Sequence, residues 1–112
     1  AKGVRGLLRP SGGALLMVRP SESETIVEVR GALDVRGAQR LKLAVSMALA
    51  EGARQVTIDL SEATRVGAPG IAALVEATQR AGGATVQLRG LRAEVRLLLE
   101  KTGLHRVLEI LE

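Results

Sequence analysis

Two rhythms take turns along the chain: apolar residues that alternate with polar ones over short runs, and apolar residues that recur every three or four positions. Residues 14–19 (ALLMVR) form a short apolar run. Residues 25–31 (TIVEVRG) set Ile26, Glu28 and Arg30 against Val27 and Val29. Both read as strands. The polar SESE at 21–24 separates them, so they are expected to form a hairpin. Residues 37–52 (GAQRLKLAVSMALAEG) change to the helical period, with Ala38, Leu41, Val45, Ala48 and Leu49 on one face and Gly52 as a stop. Beside that face, Leu43, Met47 and Ala50 make a second apolar strip, read either as a widened core face or as a protein contact. The strand rhythm returns at 54–60 (RQVTIDL), where Val56, Ile58 and Leu60 share a face, and 61–67 (SEATRVG) reads as a loop.

The next helix is expected over 69–83 (PGIAALVEATQRAGG), with Ile71, Leu74, Val75 and Thr78 aligned. A strand over 84–90 and a helix over 91–103 follow. That helix carries Leu91, Val95, Leu98 and Leu99 inward and ends at Gly103. A short strand at 106–111 closes the series. The order ββαβαβαβ predicts an α/β fold: a small mixed, mostly parallel sheet with right-handed crossovers and one antiparallel strand added by the hairpin. Residues 1–13 (AKGVRGLLRPSGG) hold four glycines and a proline without a sustained period, and read as a basic arm or linker ahead of one domain over 14–112.

Composition narrows the chemistry. There are no aromatic residues, so the core is aliphatic, and no cysteines, so disulfides, thiolate catalysis and cysteine metal sites are excluded. The net charge of +4 comes from Lys2, Arg5, Arg9 and Arg19; beyond residue 20, twelve basic side chains balance twelve acidic ones. A nucleic-acid surface is expected to carry its basic face on the folded part and to offer stacking rings, and neither is present, so nucleic-acid binding is disfavoured. No apolar run nears the roughly 20 residues that span a bilayer, so membrane insertion is not expected and a cytoplasmic setting is. His105 is the only histidine and lacks partners for a metal site or a triad. The carboxylates Glu51, Glu76, Glu94 and Glu100 are scattered over helix exteriors. No acid–base pair assembles, and the reading is of a non-enzyme without cofactor or metal.

The stretch GAPG at 67–70 sits where a helix begins yet offers no hydroxyl, carboxylate, thiol or imidazole. With Ala68 as the N-cap, one backbone N–H loses a side-chain acceptor; Pro69 as the first helical residue offsets part of that, because its φ is preset and its absent N–H had no partner. The positive end of the helix dipole and free N–H groups still face outward. Without the lysine and hydroxyl of a phosphate-binding loop, and with Arg65 as the nearby cation, a nucleotide site is a weak reading.

Four stretches, VRGALD (29–34), VTIDLS (56–61), GAPGIAAL (67–74) and EKTGLHRVL (100–108), arrive in the order and spacing of the STAS domain (sulfate transporter and anti-sigma factor antagonist), which the chain resembles over about residues 14–111. The resemblance implies a small mixed sheet with wound βα units, normally continued by one more C-terminal helix. In antagonist members the segment matching GAPG reads Asp-Ser-Ser-Gly, and its first serine accepts a phosphoryl group from a partner kinase that is also an anti-sigma factor. Here Gly67 stands at the aspartate, Ala68 at the acceptor and Pro69 at the second serine, and only Gly70 matches. The nearest hydroxyls, Ser61 and Thr64, lie on the preceding segment, where Ser61 reads as a cap or turn residue. The corner at Asp34 lies beside this loop in the family and contributes to its partner face; read from the residues alone, Asp34 is an Asx turn or a helix cap. The resemblance thus implies a non-catalytic protein-interaction module that docks an anti-sigma, serine-kinase-like partner through Asp34, Arg65, Gly67, Ala68, Pro69, Gly70, Ala72 and Ala73, without phosphorylation at its own loop. An accessory subunit of a membrane-transporter ATPase and a small-ligand or nucleotide sensor are the alternatives. Self-association through Leu43 and Met47 is a further expectation.

Overall fold

The computed structural model describes residues 15–80, 82–106 and 108–111. The arm expected at 1–13, with Ala14, lies outside them. Among the described residues nine elements follow one another: β1 (Leu15–Pro20), β2 (Glu24–Leu33), α1 (Val35–Ala50), β3 (Gln55–Val66), α2 (Ala68–Gln79), β4 (Thr85–Arg89), α3 (Ala93–Thr102), a single 3₁₀ turn (Leu104–Arg106) and β5 (Glu109–Ile110). The strands form one sheet in the order β1-β2-β3-β4-β5; the β1–β2 pair is antiparallel and the others are parallel. The expected mixed α/β fold is therefore the observed one.

Because spatial order equals chain order, every crossover steps in the same direction, and right-handed crossovers then place all three helices on one face of the sheet. The alternation in the sequence serves that arrangement. Leu16, Val27, Val29, Val56, Ile58, Leu60, Val86 and Leu88 point to the helices, and each is at most 4% exposed. They meet Ala38, Leu41, Val45 and Ala48 from α1, Ile71, Leu74 and Ala77 from α2, and Leu99 from α3. With no aromatic ring available, this aliphatic layer must close by interdigitating branched side chains. The opposite sheet face is polar and bound together laterally. Glu28 pairs with Arg19 at 3.2 Å and Arg30 at 3.5 Å, Arg89 pairs with Asp59 at 3.0 Å, and the Glu24 carboxylate accepts hydrogen bonds from Gln55 Nε2 at 2.8 Å and Thr57 Oγ1 at 3.2 Å.

Several elements depart from the sequence reading. Residues 61–66 are strand, not loop: β3 continues to Val66 beside the end of β2, pairing Arg30 with Glu62, Gly31 with Ala63, Ala32 with Arg65 and Leu33 with Val66. Register shifts at Glu28/Arg30 and Gly31/Ala32 break the two-residue alternation, so here only Ala63 and Val66 are buried, three residues apart. Helix α1 starts at Val35, two residues before the expected Gly37, because Asp34 is its N-cap and accepts the Gly37 N–H at 2.9 Å. Helix α2 is capped by Gly67, so Ala68 is its first residue and Pro69 its second; the Ile71 N–H to Gly67 carbonyl bond of 3.0 Å closes that first turn. Gly103, at φ +77°, ends α3 as expected. The closing strand expected over 106–111 shrinks to Glu109–Ile110, because a 3₁₀ turn holds Leu104–Arg106; Val107 is outside the described residues. Leu98, expected inward, is 41% exposed, since the core side of α3 is taken by Leu99.

Candidate functional site

The extension of β2 and β3 beyond the reach of β4 builds the site. Pairing of Leu33 with Val66 sets Asp34 and Gly67 side by side at the ends of neighbouring strands. The next residues, Val35 and Ala68, begin α1 and α2. Two helices therefore start next to each other at one end of the sheet, each with its unpaired N–H groups and positive dipole end on that side. They differ in how those groups are met. At α1 the Asp34 carboxylate takes the Gly37 N–H; at α2 no side chain caps the first turn. Gly67 is extended, at φ −90° and ψ −176°, and a Cβ there would lie 3.6 Å from Pro69 Cδ, so a capping side chain is sterically admissible and simply absent.

Gly70 has a different reason to be glycine. A Cβ there would stand 2.9 Å from Leu33 Cδ2 and 3.0 Å from the Leu33 carbonyl oxygen. The first turn of α2 thus presses directly on the end of β2, and the missing methyl sets how closely tip and sheet approach.

The eight residues expected to form the contact surface divide accordingly. Asp34, Arg65, Ala68, Pro69 and Ala72 are exposed and Gly67 is half-buried. Gly70 is buried against Leu33, and Ala73 is 1% exposed because its methyl enters the core. These two correct the expectation: they support the tip from beneath and leave the contacting set.

Two residues of the neighbourhood escaped the sequence reading. Between α2 and α3 runs an apolar groove of about 500 Å³, bordered by Ala68, Ile71, Ala72, Val75, Leu98 and Leu104. A smaller hollow of about 170 Å³ lies on the other side of Leu98, against Thr64, Arg65 and Arg92. Leu98 and Arg92 therefore belong to the surface around the tip. The available signal was the run Leu97–Leu98–Leu99: three successive helical residues span about 200° of the helix and cannot all face one core.

Behind the tip, β3 is pinned by Asp59. Its carboxylate accepts the Ser61 N–H at 2.9 Å, the Ser61 hydroxyl at 2.7 Å and an Arg89 guanidinium N–H at 3.0 Å. Burial pushes the Asp59 carboxyl up, but the two Ser61 bonds and Arg89 together outweigh it and hold the group below the usual aspartate range. Ser61 is thus held by Asp59 within β3 rather than at a strand end as the sequence suggested, and Thr64 is exposed. His105 is exposed, with Nδ1 3.3 Å from the Leu99 carbonyl oxygen.

Among the described residues no group of three or more His, Cys, Asp or Glu side chains is placed to hold a metal ion. No described helix is long and apolar enough to cross a membrane.

A comparison with curated proteins gave no match. Among solved structures, an anti-sigma factor antagonist from Mycobacterium paratuberculosis superposes with a TM-score of 0.79 at 21% identity, covering 92% of this chain and 89% of that one. The unphosphorylated form of the anti-sigma factor antagonist SpoIIAA gives 0.73 at 13% identity, covering 87% and 88%. A sulfate transporter family protein from Wolinella succinogenes gives 0.70 at 20%, covering 80% and 77%. At such identities these likenesses establish a shared fold. The family model STAS_2, described as "Mlab, STAS domain", matches residues 16–112, and the chain belongs to that family of STAS domains.

Proposed function

We propose that this domain is a non-catalytic docking module, which binds a regulatory protein of the anti-sigma, serine-kinase-like class through the tip of α2 and takes no phosphoryl group there. The observation that carries the reading is the exposure of Ala68 and Pro69 at a helix start with no side-chain cap. The tip is presented to a partner but offers a phosphotransferase no nucleophile. Asp34, Arg65, Gly67 and Ala72 complete the contact, and the small side chains at 68 and 72 allow close approach of a partner backbone. SpoIIAA, which shares the fold, has been seen in unphosphorylated and phosphorylated forms; in this reading Ala68, at the place that the resemblance gives to an acceptor serine, keeps the tip unmodified.

The test is incubation with an anti-sigma-factor serine kinase and ATP, followed by mass spectrometry of the tip peptides. The wild type gains no phosphoryl group over residues 61–70, whereas Ala68→Ser does. Phosphate on wild-type Ser61 or Thr64 contradicts the proposal. In a binding assay with the same kinase, Ala72→Arg weakens the complex at least tenfold; an unchanged affinity removes α2 from the interface.

A second reading has its own support, in the matching fold of a sulfate transporter family protein. In it the same tip docks on a transporter ATPase subunit. Binding to such an ATPase, with no affinity for the kinase, selects it.

A further inference from the structure

On the far side of α1 from α2, at the β1 edge of the sheet, a second surface stands apart from the tip. An apolar groove of about 380 Å³ runs between α1 and β1, floored by Leu16, Val18, Ala44 and Ala48. Along its lip, Leu43 is 59% exposed and Met47 54%. The outer edge of β1 pairs with no strand among the described residues. The lip also has polarity along its length. Arg40, Leu43, Met47 and Glu51 border the groove in turn, at the i, i+3, i+7, i+11 spacing of one helical stripe. The stripe is about 16 Å long, with a cation at one end, an anion at the other and two large apolar side chains between. Neither Arg40 nor Glu51 has an ion-pair partner among the described residues, whereas Lys42, on the opposite flank, reaches Glu76 of α2 at 3.6 Å.

That order is its own complement when reversed. Set two copies of α1 antiparallel about a twofold axis near Val45, and Arg40 of each chain faces Glu51 of the other. Leu43 of each then faces Met47 of the other, beside the partner's groove. We infer that this flank of α1 is a homodimer interface, closed by two Leu43–Met47 contacts and two Arg40–Glu51 ion pairs. A twofold contact needs such a self-complementary patch, and a flexible thioether suits entry into an irregular apolar groove. Arg40 and Glu51 lie five and six residues from Val45, the midpoint of Leu43 and Met47, a mismatch of about 1.5 Å of helical rise that two long side chains span. A different partner protein would place no demand on opposite charges flanking the apolar pair at nearly equal distance, and a second copy does.

Dimerisation here leaves the tip of α2 free, so the inference stands apart from the proposed partner contact. An interface of one helix flank and its groove lies at the small end of specific contacts, and a dissociation constant of about 10–100 µM is expected. Sedimentation velocity from about 5 to about 500 µM reads it. The wild type shifts with concentration from 11.8 kDa toward twice that mass. Leu43→Glu and Met47→Glu stay monomeric with unchanged far-UV circular dichroism, since both positions are exposed. Arg40→Glu and Glu51→Arg each weaken the dimer about tenfold, every substitution being met twice across the axis. The double variant Arg40→Glu/Glu51→Arg restores it. A wild type that stays monomeric at the highest concentration overturns the inference. So does a dimer indifferent to Leu43→Glu, or a double variant no tighter than its parents.

Discussion

Replacing Gly90 with alanine tests the anchor beneath the tip. Gly90 follows β4 with φ at +74°, and an added Cβ would stand 2.7 Å from Ser61 Cβ, 2.9 Å from Ser61 N and 3.0 Å from Asp59 Oδ1. Two effects add. The left-handed backbone costs an alanine about 1 kcal/mol relative to glycine. The methyl also intrudes by about 1 Å into the normal carbon–carbon separation, so Ser61 must retreat from Asp59 and strain one or both of its hydrogen bonds. A hydrogen bond to a charged acceptor is worth about 1.5–3 kcal/mol, and the expected total loss is about 2.5–4 kcal/mol. Gly103 provides the control: its φ is +77°, and a Cβ there meets nothing within 4 Å, so Gly103→Ala carries the backbone term alone, about 1 kcal/mol. Urea titration followed by circular dichroism at 222 nm is the assay, because the chain has no aromatic fluorophore. Equal losses for the two variants would show that the Asp59–Ser61 turn yields freely, and would refute its role as an anchor.

Three further outcomes are expected. Asp34→Ala removes the α1 cap and lowers stability by about 1 kcal/mol, while Asp34→Asn keeps most of it; equal urea midpoints for wild type and alanine variant would contradict the cap. Asp59 has a folded-state pKa below its unfolded value, so its stabilisation is present above about pH 4 and is lost as pH falls through the folded value. Urea midpoints measured down to about pH 2.5 should therefore fall more steeply for wild type than for Asp59→Asn, and parallel curves would exclude the linkage. Gly70→Ala drives a methyl against Leu33 and its carbonyl, and overpacking of that kind costs about 1–3 kcal/mol; thermal melts by circular dichroism show a lower midpoint if α2 rests on β2 as described.

The element order and the sheet-facing residues were legible because burial on one side imposes a period: two residues in Val27, Val29, Val56, Ile58 and Leu60, and three or four in Ala38, Leu41, Val45 and Ala48. The resemblance to STAS domains was legible because its four stretches keep their order and spacing even though only Gly70 of GAPG matches the pattern that the resemblance implies. The continuation of β3 to Val66 was not legible. Its pairing with β2 passes through two register shifts, and a shifted strand loses the alternation by which strands are recognised. The limits of the tip were hidden for a related reason. GAPG and the following alanines look equally small on paper, but the approach of α2 to Leu33 buries Gly70, and the turn of the helix sends Ala73 into the core, leaving Ala68, Pro69 and Ala72 outside.

By itself, then, the sequence determined the aliphatic core, the alternation of strands and helices, and the absence of a hydroxyl at position 68, since each is a property of residue type and local period. Only the tertiary structure decided that Asp34 sits beside Gly67, that Leu98 faces outward next to the tip, and that Leu43 and Met47 border an open groove at the β1 edge. Those facts depend on which residues distant in the chain are brought together, and strand register and helix packing, rather than local pattern, fix that.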